Sequence, residues 1–169
     1  MRRIPSVLLA LGFALGGMAF ARPASADQSV IKFPGMHPRY VFEAEPHLII
    51  APFHDFLPGV GFRGTIEIVD NGFIPSINNT VGIGFGADFA YKGVWIPIVM
   101  QWNFWLTRNW SVFGEPGVAI RAGQGLGRHD DGAGWFAIRA GGRYHFSDRV
   151  SLTMRVGRPT ISLGVSFML

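Results

Sequence analysis

Residues 80–91 read TVGIGFGADFAY. Every second position is apolar: Val81, Ile83, Phe85, Ala87 and Phe89 share one face, and Gly82, Gly84, Gly86 and Asp88 share the other. Period two is the strand signature, because successive side chains leave a strand on opposite sides. The next segment, 94–106, follows the same rule, with Ile96, Ile98, Met100, Trp102 and Phe104 opposing Gln101 and Asn103. Six more segments alternate in this way: 39–51, 59–69, 110–121, 135–146, 150–157 and 160–169. Eight strands are predicted, and no stretch after Asp27 gives an amphipathic helix.

Which parity carries the charges decides the architecture. Glu43, Glu45, Arg63, Glu67, Asp88, Glu115, Arg121, Arg139, Arg143 and Arg155 all lie on the polar parity of their strands. The opposite parity holds no charge in any strand and is rich in large apolar residues. A soluble sandwich or lipocalin-like barrel also alternates, but its outside must be wet and charged. So much apolar surface cannot be packed inside a small barrel, so it is assigned to lipid, with the polar parity turned inward. Without helices, only a closed barrel satisfies backbone hydrogen bonds in hydrocarbon. The predicted fold is all-β, an eight-stranded antiparallel transmembrane β-barrel.

Composition narrows the function classes. The 169 residues are 49% hydrophobic and only 15% charged, which excludes a disordered chain. Arg2 and Arg3 precede an unbroken apolar stretch, Val7 to Ala21, and Ala24-Ser25-Ala26 then forms a small-x-small site. This is the layout of a cleaved secretory signal peptide over residues 1–26. A retained anchor is the rival reading, but 15 apolar residues fall short of the ~20 that span a bilayer. Removal of Arg2, Arg3 and Arg22 leaves 12 basic residues against 11 acidic ones, too balanced for a nucleic-acid partner. The absence of cysteine excludes disulfides, thiolate metal sites and a lipoprotein anchor.

An even strand number places both termini on the periplasmic side. Residues 27–38 are then a short periplasmic segment and 39–169 the barrel. The connections at Thr107-Arg108-Asn109, Ser147-Asp148-Arg149 and 70–79 are periplasmic; Asn78-Asn79-Thr80 matches a glycosylation triplet but reads as a turn. Outer loops are 52–58, Lys92-Gly93, 122–134 and Arg158-Pro159. Aromatic residues cluster toward strand ends, with Tyr40, Phe42, Phe104, Trp105, Trp110, Tyr144, Phe146 and Phe167 near the periplasmic side. Tyr91, Trp95, Trp135 and Phe136 lie toward the outer side, which predicts two interfacial girdles.

The last eight residues contain Ser162, Gly164, Phe167 and Leu169 in the spacing polar-x-Gly-x-x-aromatic-x-apolar. This resembles the C-terminal assembly signal of bacterial outer-membrane proteins, although Leu169 replaces the commoner terminal Phe. The chain from about residue 39 is similar in architecture to the small OmpA/OmpX-type barrels. That resemblance implies residence in the outer membrane of a Gram-negative bacterium and recognition by the barrel-assembly machinery. It also implies contact with outer-membrane lipids and lipopolysaccharide, and a monomer is expected.

The inward charges, five acids and five arginines, can neutralise one another. Interiors of eight-stranded barrels are just wide enough for side chains to fill, so a salt-bridged plug is expected. Gly82, Gly84 and Gly86 share a parity and leave room for arginines, and they do not form a nucleotide loop. In the outer loops, His54 and Asp55 with Arg128, His129, Asp130 and Asp131 are candidate contacts for lipopolysaccharide or a divalent cation. Their plain reading is a solvated loop tip. No catalytic residue, cofactor or metal site is expected. The expected role is structural or surface interaction. The alternatives are a lipid A-modifying enzyme of the acyltransferase or deacylase type, and a small-solute channel. The pair His145-x-Ser147 echoes a deacylase motif, but it falls at the periplasmic end.

Overall fold

The structure is a computed structural model that describes residues 28–50, 58–90, 93–123, 134–158 and 160–169. Its elements are β1 (Phe42–Ile50), β2 (Pro58–Val69), β3 (Asn79–Ala90), β4 (Gly93–Trp105), β5 (Trp110–Gly123), β6 (Gly134–Ser147), β7 (Val150–Arg158) and β8 (Ile161–Met168). Each strand pairs antiparallel with its sequence neighbours, and β8 returns to β1 to close the barrel. The eight segments read from period-two alternation are the eight strands, with ends shifted by a few residues at most.

Parity decides which side chains are inside. Leu48, Phe62, Ile83, Ile98, Val118 and Ile138 are among the large apolar residues exposed on the outer face. On the alternate positions Glu45, Glu115 and Arg143 are 0% exposed. Apolar outside and charged inside inverts a water-soluble protein and is the arrangement lipid demands. Small residues make the interior fit. A Cβ on Gly61 would lie 2.3 Å from His47 Nε2, and one on Gly141 would lie 2.1 Å from Phe113 Cζ.

The connections at the terminal end of the barrel are built from local hydrogen bonds. Thr107 Oγ1 accepts from the N–H groups of Asn109 and Trp110 at 3.2 and 3.1 Å, and Ser147 Oγ accepts from Arg149 N–H at 3.3 Å. Hydroxyl-to-backbone bonds of this kind hold tight turns. In the longer β2–β3 connection, Asn79 Nδ2 donates to the carbonyls of Ile74 and Ile77, both at 2.8 Å. Asn78 and Asn79 are fully buried, so the glycosylation triplet is part of the fold.

The segment before β1 crosses the same end of the barrel. Pro34 and Gly35 form the corner of a turn closed by Met36 N–H donating to Phe33 O at 3.2 Å. Gly35 adopts φ of 77°, the left-handed value that the third position of such a turn requires. Val30 N–H donates to Leu106 O, and Asn78 N–H donates to Ile31 O. Val30 and Tyr40 pack with Trp105 and Met168, forming an apolar plug across the barrel mouth.

Candidate functional site

Four acids and four arginines meet in the lumen. Arg143 Nη2 donates to Glu43 Oε1 and Oε2 at 2.7 and 2.8 Å, and its Nη1 donates to Asn103 Oδ1 at 2.9 Å. Arg155 links two acids: Nη1 donates to Glu45 Oε1, and Nε donates to Glu115 Oε1 at 2.9 Å. Glu115 Oε1 also accepts from Gln101 Nε2 at 2.9 Å, and Glu45 Oε2 accepts from Ser166 Oγ at 2.8 Å. Farther from the plug, Arg63 and Arg139 both approach Asp88 Oδ2 at 3.4 Å, and Arg63 Nη1 lies 3.7 Å from Glu115 Oε2. Arginine–carboxylate contacts are therefore shorter toward the plugged end and longer around Asp88.

This network keeps eight of the ten charges predicted to line the lumen and releases two. Glu67 pairs with no arginine among the described residues; it stands at the end of β2 beside His37 and Asp70. Arg121 lies near the opposite end, with its guanidinium 5.4 Å from the centre of the Trp95 ring, its partner in the β4–β5 register. The remaining set is still balanced, four against four. Sequence reasoning left out His47, although its parity with Glu43 and Glu45 marked it as inward. His47 Nε2 donates to Asp88 Oδ1 at 2.9 Å. It also left out Phe113, whose ring carries the Arg143 and Arg155 guanidinium groups at 4.5 and 5.0 Å. An aromatic face lowers the cost of holding two cations in the interior.

Three aromatic residues expected in the girdles point inward. Trp105 is 1% exposed and stacks between His37 and His145, with ring centres 5.6 and 4.7 Å away. Trp95 packs against Val99, Ala119 and Ala137 inside the barrel. Tyr40 is buried in the plug. Burial holds its hydroxyl well above the ordinary phenolic range, and the negative charge of Glu43 adds to the effect. Both tryptophans share the odd parity of Gln101 and Asn103, which signalled the lumen. Outside, Trp110, Tyr144 and Phe146 do form a contiguous exposed cluster, with successive ring centres 5.1 and 5.2 Å apart.

One serine–histidine pair stands in the lumen. Ser111 Oγ and His145 Nε2 share a hydrogen bond of 2.9 Å, and both residues are buried. His145 Nδ1 has no hydrogen-bond partner among the described residues, so no acid orients the ring.

The C-terminal residues are tied into the closure. Leu169 N–H donates to Phe42 O at 2.8 Å, while Leu169 O accepts from Val41 and Phe42 N–H at 2.9 and 3.1 Å. Phe167 is exposed on the outer face; Ser162 and Gly164 face inward on β8. A Cβ on Gly164 would fall 2.7 Å from His47 Cβ and 2.8 Å from Glu45 Oε1, so packing alone requires glycine there. His54, Asp55, Arg128, His129, Asp130 and Asp131 lie outside the described residues, as does the leader, 1–26.

No family model matches this sequence, and no curated protein is similar to it. Solved structures are similar in fold. The designed transmembrane barrel TMB2.3 superposes with a TM-score of 0.56 at 12% identity, covering 77% of this chain and 94% of its own. A second de novo designed transmembrane β-barrel gives 0.55 at 11% identity, covering 79% and 100%. The outer membrane protein Ail of Yersinia pestis gives 0.47 at 12% identity, covering 75% and 99%. The chain thus has the fold of small transmembrane β-barrels, with salt bridges buried inside.

Proposed function

We propose that this protein is a monomeric outer-membrane barrel of a Gram-negative bacterium whose lumen is sealed, and that its role is structural or one of surface interaction. The observation that carries this reading is the balanced set of four acids and four arginines, each at most 3% exposed, paired beneath an outer face of exposed apolar side chains. A pore needs a continuous water path, whereas here the charged groups pair with one another across the lumen. Outer-membrane lipid and lipopolysaccharide are the proposed neighbours, and the barrel-assembly machinery is the proposed partner during insertion. Ser162, Gly164, Phe167 and Leu169 support that last assignment by their spacing.

The lipid A-modifying alternative needs a nucleophile and base within reach of the outer leaflet. Ser111 and His145 are buried near the plugged end and point away from lipid, which argues against it.

Heat-modifiable gel migration in the outer-membrane fraction, joined to planar-bilayer recording, tests the proposal. The expected wild-type trace has no large, steady conductance. Glu115→Ala, which leaves Arg155 with Glu45 alone and Arg63 with Asp88 alone, should introduce flickering current, whereas Glu67→Gln should not. A large stable wild-type conductance would make the protein a small porin. Altered acylation of lipid A, found by mass spectrometry only when the protein is present, would make it an enzyme.

A further inference from the structure

The plug contains a cluster of polar groups that the lumen network does not use. The His37 side chain is 0% exposed and lies against Trp105. Its Nδ1 is 2.6 Å from Asn78 Oδ1. Asn78 Nδ2 donates to Met36 O at 2.9 Å, which fixes the orientation of the amide. Asn78 Oδ1 must therefore accept, and His37 Nδ1 must carry the proton. In the neutral ring this leaves Nε2 with only a lone pair.

What faces that lone pair is another acceptor. Asp70 Oδ1 lies 3.1 Å from His37 Nε2. Glu67 completes the group, and its Oε2 is buried with no hydrogen-bond partner among the described residues. One ligand atom from each of His37, Glu67 and Asp70 lies within 4.8 Å of the others. Acceptors converge in this way around a positive charge, either an extra proton on His37 or a bound cation.

The third acceptor favours the cation, because a proton on His37 Nε2 serves Asp70 and leaves Glu67 Oε2 without a donor. Two ligands each ~2.0 Å from a tetrahedral Zn²⁺ stand about 3.3 Å apart, close to the His37–Asp70 spacing. One imidazole with two carboxylates is a donor set for borderline divalent ions, and three protein ligands leave a fourth position for water. A carbonyl oxygen accepting from Nδ1 is a common means of aiming the other ring nitrogen at a metal. Asp70 is 58% exposed, which gives an ion a way in from solvent.

We propose that His37 Nε2, Glu67 and Asp70 bind a divalent transition-metal ion of the zinc class. The ion joins the segment before β1 to the end of β2 and the first residue of the β2–β3 connection. It latches the plug to the barrel wall.

The test is calorimetric titration of ZnCl₂ into the folded mature protein in detergent, with CoCl₂ absorption as a second readout. One equivalent of Zn²⁺ should bind and raise the melting temperature, and Co²⁺ should give the visible band of a tetrahedral site. Asp70→Asn is at an exposed position and should fold, as checked by heat-modifiable migration, yet lose the binding. Asn78→Ala, which removes the acceptor from His37 Nδ1, should weaken it by about 10–100-fold. The loop variants His54→Gln and His129→Gln should bind like wild type. Absence of stoichiometric Zn²⁺ binding, or unchanged binding in folded Asp70→Asn, would overturn the proposal. So would nitrogen NMR showing His37 doubly protonated at neutral pH with and without Zn²⁺.

Discussion

Arg143 on β6 and Glu43 on β1 are 100 residues apart in sequence, yet one guanidinium nitrogen of the arginine bonds both oxygens of the acid. They are not register partners: Arg143 pairs in the sheet with Ser111 and Thr153, and Glu43 with Thr65 and Met168. The ion pair spans the lumen and ties opposite parts of the wall together.

Truncating either partner should therefore be costly. Arg143→Ala or Glu43→Ala leaves a buried charge alone and should reduce unfolding stability by about 3–5 kcal/mol. The neutral double variant Glu43→Gln/Arg143→Met should recover much of that loss. Urea unfolding in detergent micelles, followed by gel migration, measures both effects. A loss in the double variant equal to the sum of the two single losses would show that the pair makes no coupled contribution.

The outer face makes a second expectation. Ile98 is near the middle of β4 and 47% exposed to the surroundings. Ile98→Arg should destabilise the protein folded in bilayers by roughly 2–4 kcal/mol, while Ile98→Leu should be nearly neutral. If folding into vesicles is equally efficient for both, that face does not meet hydrocarbon.

Removing Phe167 to Leu169 deletes the three backbone hydrogen bonds that Leu169 makes with Val41 and Phe42. It also deletes Met168 from the plug. The truncated protein should lose its heat-modifiable folded band and be degraded in cells. Because the same residues form the proposed assembly signal, refolding in vitro separates the two causes. A truncated chain that refolds in detergent but fails in cells has lost recognition and kept its closure.

Tyr40 sets a limit at alkaline pH. Its folded-state hydroxyl is held above the ordinary phenolic range by burial. The contribution is fully present below the unfolded value of about 10, and is lost as pH rises from there toward the folded value. Stability should fall above about pH 10 in the wild type and fall less steeply in Tyr40→Phe. A parallel decline in both proteins, measured by thermal unfolding across that range, would remove Tyr40 from the account.

The strands were legible because the chemistry of each wall position depends on parity alone, and parity is a local property of sequence. Partners were not, because Arg143 and Arg155 bond acids on β1 that are distant along the sheet, and only closure brings them together. Glu67 shows a related limit: its parity pointed inward, but its place at the end of β2 put it beside the plug. Trp95 and Trp105 were misplaced by counting aromatics toward strand ends when their parity already assigned them to the lumen. The plug left no periodic signal. Its local marker was Pro34-Gly35, and its long-range contacts depend on Trp105, Asn78 and Met168 arriving from three other parts of the chain.

Those contacts also impose an order of events. The segment from Val30 to Val41 rests on Leu106, Asn78 and Leu169, so its resting place is not complete until the last strand has met the first. Although it is made before the strands in the direction of synthesis, it is the piece whose contacts span the greatest sequence distance, and such contacts form slowly. Until it settles, the polar lining at this end faces an open, hydrated mouth. The segment that precedes the first strand thus acts as the stopper of this end of the barrel.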